Sequence, residues 1–168
     1  PDEDKSAVEA IASETTIERP TLRSHGAPDG TVTVMFIDIE DFGAMNEKLG
    51  DQGAEEVLSA YRAVVRQHVE EIGGSEVRSM RDGYMLAFPS ATGALQCAIA
   101  IQRSFVDYNY AHPEEPVRVC MGLNVQEASD DSEDLLGDNF ILAARLADQA
   151  QGGRILISAL VKEIIESS

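Results

Sequence analysis

The sequence predicts an α+β domain whose elements follow the order β-α-β-β-α-β, with an extra strand and helix at the C-terminal end. Two observations predict this class. Strand-like runs alternate with helices of 3.6-residue periodicity, and two strand-like runs meet at Asp82-Gly83 with no helix between them, which indicates a hairpin. The length of 168 residues suits one such domain with a full hydrophobic core.

The first half of this pattern covers residues 31–88. Residues 31–39 are a nearly continuous β-prone apolar run, as expected of a buried strand. A helical region follows with a break at residues 50–53, and Gly73-Gly74 ends it. Its second part has the i, i+3, i+4 spacing of an amphipathic helix at Val57, Leu58, Tyr61, Val64, Val65, His68, Val69 and Ile72. The hairpin occupies residues 76–88.

The second half begins with Ser90, a candidate N-cap for a helix through about Tyr108. We expect one face of this helix to carry Leu95, Ala98, Ile99, Gln102, Phe105 and Val106. The remaining predicted elements are a strand at 117–125, an acidic loop at 127–134, a helix at 139–149, a strand at 155–157 and a closing helix capped by Ser158. Without the insertions, this is the ferredoxin-like arrangement.

Residues 1–30 form a separate opening segment. It is acidic and polar, with one weak helical stretch at 7–17, and Pro20 and the cluster at 26–30 break regular structure. We expect either a linker or the tail of a signalling helix from an upstream sensor domain, with the folded domain at 31–168. Because the chain begins with Pro1, we also expect a processed product or an excised domain.

The composition argues against several kinds of partner. A net charge of −17 and a pI near 4.3 disfavour nucleic acid and an anionic membrane surface. No signal peptide and no apolar run of about 20 residues are present, so we expect a cytoplasmic protein without direct membrane contact. Cys97 and Cys120 lie in apolar contexts and are expected to be reduced core residues.

Two acids carry the strongest functional signal. Asp38 closes the first strand, and Asp82 lies at the hairpin tip 44 positions later. Two carboxylates from two strands of one sheet suit a divalent-cation site for phosphate chemistry. A bound metal would also bring positive charge to a small anionic substrate of an acidic protein. The alternative for Asp38 is a helix N-cap.

Three motifs at matched distances resemble the class III nucleotide (adenylate/guanylate) cyclases. They are Phe36-Ile-Asp38-Ile-Glu-Asp-Phe42-Gly, Met80-Arg-Asp82-Gly-Tyr, and Asp134-Leu-Leu-Gly137 followed by Leu142-Ala-Ala-Arg145-Leu. The resemblance covers about residues 31–165. It implies a head-to-tail dimer, either a homodimer or a heterodimer with another cyclase domain, whose active sites lie across the interface. It also implies conversion of a purine nucleoside triphosphate, with ATP favoured, to a 3′,5′-cyclic nucleotide and pyrophosphate.

The resemblance further implies which residues of one subunit hold metal and phosphate. Two divalent cations, Mg²⁺ or Mn²⁺, would be bound at Asp38, Ile39 and Asp82. The backbone N–H groups at Phe42 and Gly43 would meet phosphate oxygens at a helix N-terminus.

The other subunit would read the base and stabilise the transition state. Asp134 matches the base-reading Asp of adenylyl cyclases, and Arg78 stands where those enzymes have Lys. Arg145 matches the transition-state arginine. The alternatives are a surface ion pair for Arg78 and an ordinary helix-face arginine for Arg145.

Several positions depart from the family pattern. The family's Asn, four residues before the transition-state Arg, is Ile141 here, and losing one such contact costs on the order of 10²–10³ in rate. Arg81 replaces the usual Gly beside Asp82, and the strand at 122–126 lacks the customary small polar residues. The chain stops before the strands that normally carry a triphosphate-binding Lys. A second hypothesis is therefore a degenerate cyclase homology domain, which dimerises or senses nucleotide without turnover.

A relative of the diguanylate cyclases is a third possibility, since that family shares the βαββαβ palm. Its signature of Gly-Gly-Asp/Glu-Glu-Phe belongs at the hairpin, where this chain has Arg81-Asp82-Gly83-Tyr84. On that ground we set this family aside.

Overall fold

The computed structural model describes residues 30–127 and 138–167. Within them, one five-stranded sheet has the strand order β2-β3-β1-β4-β5. The strands are β1 (Thr31–Ile39), β2 (Ser75–Ser79), β3 (Gly83–Phe88), β4 (Val119–Glu127) and β5 (Ile155–Ile157). The helices are α1 (Phe42–Ile72), α2 (Ala91–Ala111), α3 (Asp138–Gln149) and α4 (Ala159–Glu166).

This topology confirms the α+β class and the ferredoxin-like palm with an extra strand and helix. β1 lies in the middle of the sheet and pairs antiparallel with both β3 and β4. β2 extends the sheet beyond β3, and β5 adds to β4 in the parallel direction. The predicted break in α1 is also present, because Gly50 has non-helical dihedral angles.

The two faces of the sheet are covered unequally. Met35, Ile37 and Ile39 of β1 enter the main core with residues of α1 and α2. Val34 and Phe36 point to the opposite face, where alanines of α3 cover them. Because β1 is buried on both faces, its sequence is a continuous apolar run rather than an alternating one.

Some predicted boundaries and faces are wrong. β4 covers Val119–Glu127 rather than 117–125, and α2 continues to Ala111. Ile99 and Val106 are 36% and 68% exposed instead of facing the core. The buried face of α2 is rotated from the predicted one, because the helix packs through small side chains such as Ala94 and Ala98. The buried residues are Ala91, Ala94, Cys97, Ala98, Ile101 and Phe105.

Both cysteines are free and buried, which confirms the predicted reduced core residues. The N-caps are also confirmed, since the Ser90 side chain accepts from Gly93 N–H and Ser158 accepts from Val161 N–H. Within the described residues, no helix is both long enough and apolar enough to span a membrane.

Gly122 allows α3 to lie directly on β4. A Cβ added there would collide with the carbonyl oxygen of Ala143 and lie 2.5 Å from the Ala147 nitrogen. These are backbone atoms of a helix, which cannot move independently of it. A side chain at this position must therefore lift α3 from the sheet.

We predict that Gly122→Ala lowers the free energy of unfolding by about 1–3 kcal/mol, as overpacking of a tight contact does. Urea denaturation followed by circular dichroism measures this loss. Gly93→Ala is the matched control, because a Cβ there meets its nearest neighbours at 3.2 Å and alanine favours the helix by about 1 kcal/mol over glycine. Equal stability of Gly122→Ala and the wild type would contradict the proposed contact.

Candidate active site

The register between β1 and β3 brings the two predicted acids to one end of the sheet. Asp38 lies directly opposite Gly83, so Asp82 is the residue just before its partner. A Cβ built at Gly83 would lie 3.5 Å from the Cβ of Asp38 and 3.0 Å from the carbonyl oxygen of Ile37. The glycine thus lets the hairpin tip approach Asp38 closely. Both acids are half-buried.

The hairpin turn differs from the expected one. Asp-Gly was predicted to form the turn itself, but β2 ends at Ser79 and β3 already begins at Gly83. Neither Asp82 nor Gly83 has the positive φ of a tight Asp-Gly turn, and Met80 N–H donates to the Gly83 carbonyl at 2.9 Å. A longer link from residue 80 to 82 therefore presents Asp82, and Gly83 serves the approach to β1.

The charges of both acids act on the buried hydroxyl of Tyr61, and that of Asp38 also acts on Cys120. The pKa of the Tyr61 hydroxyl is raised well above its usual value, first by burial and then by Asp38 and Asp82. Burial, followed by Asp38, Glu40 and other acids, raises the pKa of Cys120 to about 12. Cys120 lies opposite Asp38 on β4. This end of the sheet therefore carries a concentrated negative charge.

The turn between β1 and α1 determines which backbone donors are available. α1 begins at Phe42, and its N-cap is Asp41, in the left-handed region with φ 54° and without a side-chain capping hydrogen bond. The alternative of Asp38 as the helix N-cap is therefore wrong. Glu40 N–H donates to the Arg118 carbonyl at 2.8 Å and is already used. The N–H groups of Phe42 and Gly43 precede the first intrahelical hydrogen bond, which Met45 N–H donates to Asp41.

Sequence reasoning missed one side chain in this turn. The Oε2 atom of Glu40 is buried with no hydrogen-bond partner among the described residues, and it lies against Gly152. A cavity of about 280 Å³ adjoins this residue and is lined by Glu40, Asp41, Ala44, Met45, Lys48, Pro116 and Arg118. The absence of a side chain at Gly152 makes the room that the Glu40 carboxylate occupies.

The remaining predicted residues lie elsewhere. Arg78 is opposite Met85 on the edge strand β2, so the whole of β3 separates it from β1. Arg145 is exposed on α3, away from the alanines that contact the sheet, and Ile141 is partly buried one turn before it. Asp134 lies outside the described residues. The structure thus brings Asp38, Ile39, Asp82, Phe42 and Gly43 together, and it does not add Arg78 or Arg145 to them.

The donor atoms at this end of the sheet fit a hard divalent cation. Asp38 and Asp82 offer carboxylate oxygens, and Ile39, whose apolar side chain is buried, offers its backbone carbonyl. Mg²⁺ and Mn²⁺ prefer oxygen ligands, and Mg²⁺ often takes only one or two carboxylates plus substrate phosphates. Across residues 30–127 and 138–167, no three His, Cys, Asp or Glu side chains form a metal-binding group. The arrangement suits a cation shared with a phosphate ligand rather than a complete protein cage.

A family model described as "Diguanylate cyclase, GGDEF domain" matches residues 14–149, most of the chain. The chain belongs to the GGDEF/class III nucleotide cyclase domain family. The prediction that the diguanylate cyclases can be set aside is therefore wrong, because their family model matches this chain. The match extends over the shared palm, whereas the hairpin signature is a short segment that this cyclase domain lacks.

Curated relatives are similar at moderate identity. An uncharacterized protein of Mycobacterium tuberculosis is 26% identical over 82% of this chain and 46% of its own length. The adenylate cyclase of Lachancea kluyveri is 25% identical over 89% of this chain and 10% of its own length. The cyclase domain thus spans about half, or much less, of the curated relatives it matches.

Solved structures share the fold. The adenylyl cyclase CyaB from P. aeruginosa superposes with a TM-score of 0.69 at 21% identity, over 82% of this chain and 81% of that one. The guanylate cyclase domain of RhGC from Catenaria anguillulae, solved in complex with GTP, gives 0.69 at 19% identity over 82% of both chains.

The buried thiols give a pH-dependent prediction. The pKa of Cys97 and of Cys120 is raised from 9.0 to about 12, mainly by burial, so the folded protein holds almost no thiolate near neutral pH. Because the pKa of each thiol is higher in the folded protein than in the unfolded chain, the protonated thiols stabilise the folded state. This contribution is fully present below about pH 9 and is lost as the pH rises toward 12.

We expect iodoacetamide to alkylate both thiols in urea and neither in the native protein at about pH 8.5. Mass spectrometry measures this, with Cys97→Ala and Cys120→Ala assigning each site, and rapid native alkylation would contradict the burial.

Proposed function

We propose that this domain converts a purine nucleoside triphosphate, with ATP favoured, into a 3′,5′-cyclic nucleotide and pyrophosphate at a site shared by two subunits. One observation carries the proposal: Asp38 lies opposite Gly83, which places the Asp82 hairpin tip beside it. The relatives named adenylate cyclase and the structural neighbour solved with GTP support the choice of substrate class.

The reaction requires the 3′-hydroxyl to lose its proton and attack the α-phosphorus in line while pyrophosphate leaves. Divalent cations bound to Asp38, Asp82 and the Ile39 carbonyl would supply activation of the hydroxyl and neutralisation of the phosphate charge. The two carboxylates determine where the positive charge of the cations would lie. The N–H groups of Phe42 and Gly43 donate to phosphate oxygens at the positive end of the α1 dipole.

The second subunit contributes the side chains that read the base and stabilise the transition state, which do not lie near Asp38 and Asp82 within one subunit. Arg145 is exposed on α3 and available to a partner, where its guanidinium faces the charge that develops on the phosphoryl oxygens. Asp134 accepts from the adenine amino group, and Arg78 donates to the base. Arginine is not equivalent to lysine at a single ring nitrogen, so Arg78 is the residue on which base preference depends.

One observation favours a second function, that of a regulatory module without turnover. Ile141 replaces the Asn expected one turn before Arg145 and makes no side-chain hydrogen bond. A homodimer would lack this amide in both of its sites, so low activity is expected. A degenerate domain would still dimerise or bind nucleotide.

In the decisive experiment, the full chain is incubated with Mn²⁺ and each of the four ribonucleoside triphosphates, and the products are identified by mass spectrometry. We expect a cyclic purine nucleotide from the wild type and none from Asp38→Ala or Asp82→Ala, because either change removes a cation ligand. Asp51→Ala, which removes an exposed acid at the break in α1, is the matched control and should retain activity. Full metal-dependent turnover by Asp82→Ala would disprove the two-carboxylate assignment, and absence of product with nucleotide binding retained would favour the module.

Restoring the missing amide should increase turnover. We expect Ile141→Asn to raise kcat by about tenfold or more, since such a contact is worth on the order of 10²–10³ in rate. Ile141→Ala removes the same apolar bulk without adding a hydrogen-bonding group and should give no gain. If both variants behave like the wild type, the loss of activity lies deeper in the site than this one position.

A further inference from the structure

Arg81 departs from the family pattern, and the structure gives its side chain a defined place. Its guanidinium carbon lies 5.1 Å from the centroid of the Phe42 ring. Its Nη2 donates to Oδ1 of Asn46 at 3.4 Å. Phe42 and Asn46 are one turn apart on α1, so these two contacts hold the guanidinium against the first turn of that helix.

The guanidinium keeps most of its hydrogen-bonding capacity. It carries five N–H donors, and among the described residues its one polar contact is to Asn46. Arg81 is exposed, so the other donors face solvent beside the turn between β1 and α1. A contact with the ring face orients the guanidinium plane and leaves its edge available to a ligand.

The charges around Arg81 indicate which kind of ligand its solvent-facing donors would bind. Asp82 is the residue next to Arg81, and Asp38 lies opposite Gly83, so both acids would repel an anionic substrate here. Lys48 of α1 is already paired with Glu115 at 2.6 Å. The positive end of the α1 dipole disfavours a lone cation. An anion at the first turn of α1 would interact favourably with both the guanidinium and the helix N-terminus.

We infer that Arg81 binds the triphosphate chain of the nucleotide, together with the N–H groups of Phe42 and Gly43. This inference rests on the proposed function and adds a substrate-binding residue to the subunit that carries the carboxylate pair. The planar fork of arginine can meet two phosphate oxygens at once. Arg81 thereby offsets the repulsion between the triphosphate and the acids beside it.

The test is calorimetric binding of inorganic tripolyphosphate, and separately of ATP with Mn²⁺, to the full chain. We expect Arg81→Ala to weaken both by about tenfold or more, the usual range for one charge-assisted pair. Arg81→Lys should lose less, because a point charge remains without the fork. Arg103→Ala removes an exposed arginine from α2 and should bind as the wild type does. Circular dichroism is used to check that each variant folds.

Three outcomes would overturn the inference. They are equal affinity of the wild type and Arg81→Ala for tripolyphosphate, tighter binding by Arg81→Ala, and no binding of either ligand by the wild type. Tighter binding would mean that Arg81 competes with cations for Asp38 and Asp82. The proposed function is tested by a different readout, the cyclic product from the wild type and its loss in Asp38→Ala, so a failure of the inference can be told from a failure of the proposed function.

Discussion

The antiparallel register between β1 and β3 is the constraint on which the candidate site depends. It is held by packing on both faces of β1, because Ile37 enters the core under α1 and α2 while Phe36 enters the smaller core under α3. A slip of one residue would turn Asp38 to the face of the main core, where an unpaired charge costs several kcal/mol. The same apolar contacts that stabilise the sheet therefore keep Asp38 beside the hairpin tip.

Negative charge gathers at that end of the sheet, and this has consequences for stability. The acids that raise the pKa of Tyr61 and Cys120 also repel one another, which destabilises the folded state. A bound cation would relieve this repulsion and would stabilise the fold by mass action, because the unfolded chain has no such cluster. Ligand binding and folding stability are thus linked through the same carboxylates. Arg81 supplies a small, permanent part of that counter-charge from within the chain.

The element order and the convergence of Asp38 and Asp82 could be predicted from sequence, because both follow from local patterns: a doubly buried strand, a hairpin and helices of clear periodicity. The conformation of the hairpin turn could not be predicted. Gly83 is needed for the close approach of the hairpin to β1, but in the sequence Asp82-Gly83 looks like an ordinary Asp-Gly turn. The buried Glu40 oxygen depends on Gly152, more than 100 positions away. His68 looked like a member of the apolar stripe, yet its Nε2 lies 2.8 Å from Ser104 Oγ on α2, a partner that no local pattern reveals.

Departures from the family pattern occur both beside the acids, at Arg81, and on α3, at Ile141. The acids and the β1–α1 turn are retained on the central strands, whereas the missing amide at Ile141 is on α3. In the proposed head-to-tail dimer each site would take its acids from one subunit and its α3 groups from the other, so a homodimer would lack the amide at both sites. A heterodimer with a cyclase domain that supplies the amide would have one complete site, in which this chain contributes the metal-binding half. In such a heterodimer Asp38 and Asp82 would hold the cations of a site that the partner completes, a task that a purely structural module would not require.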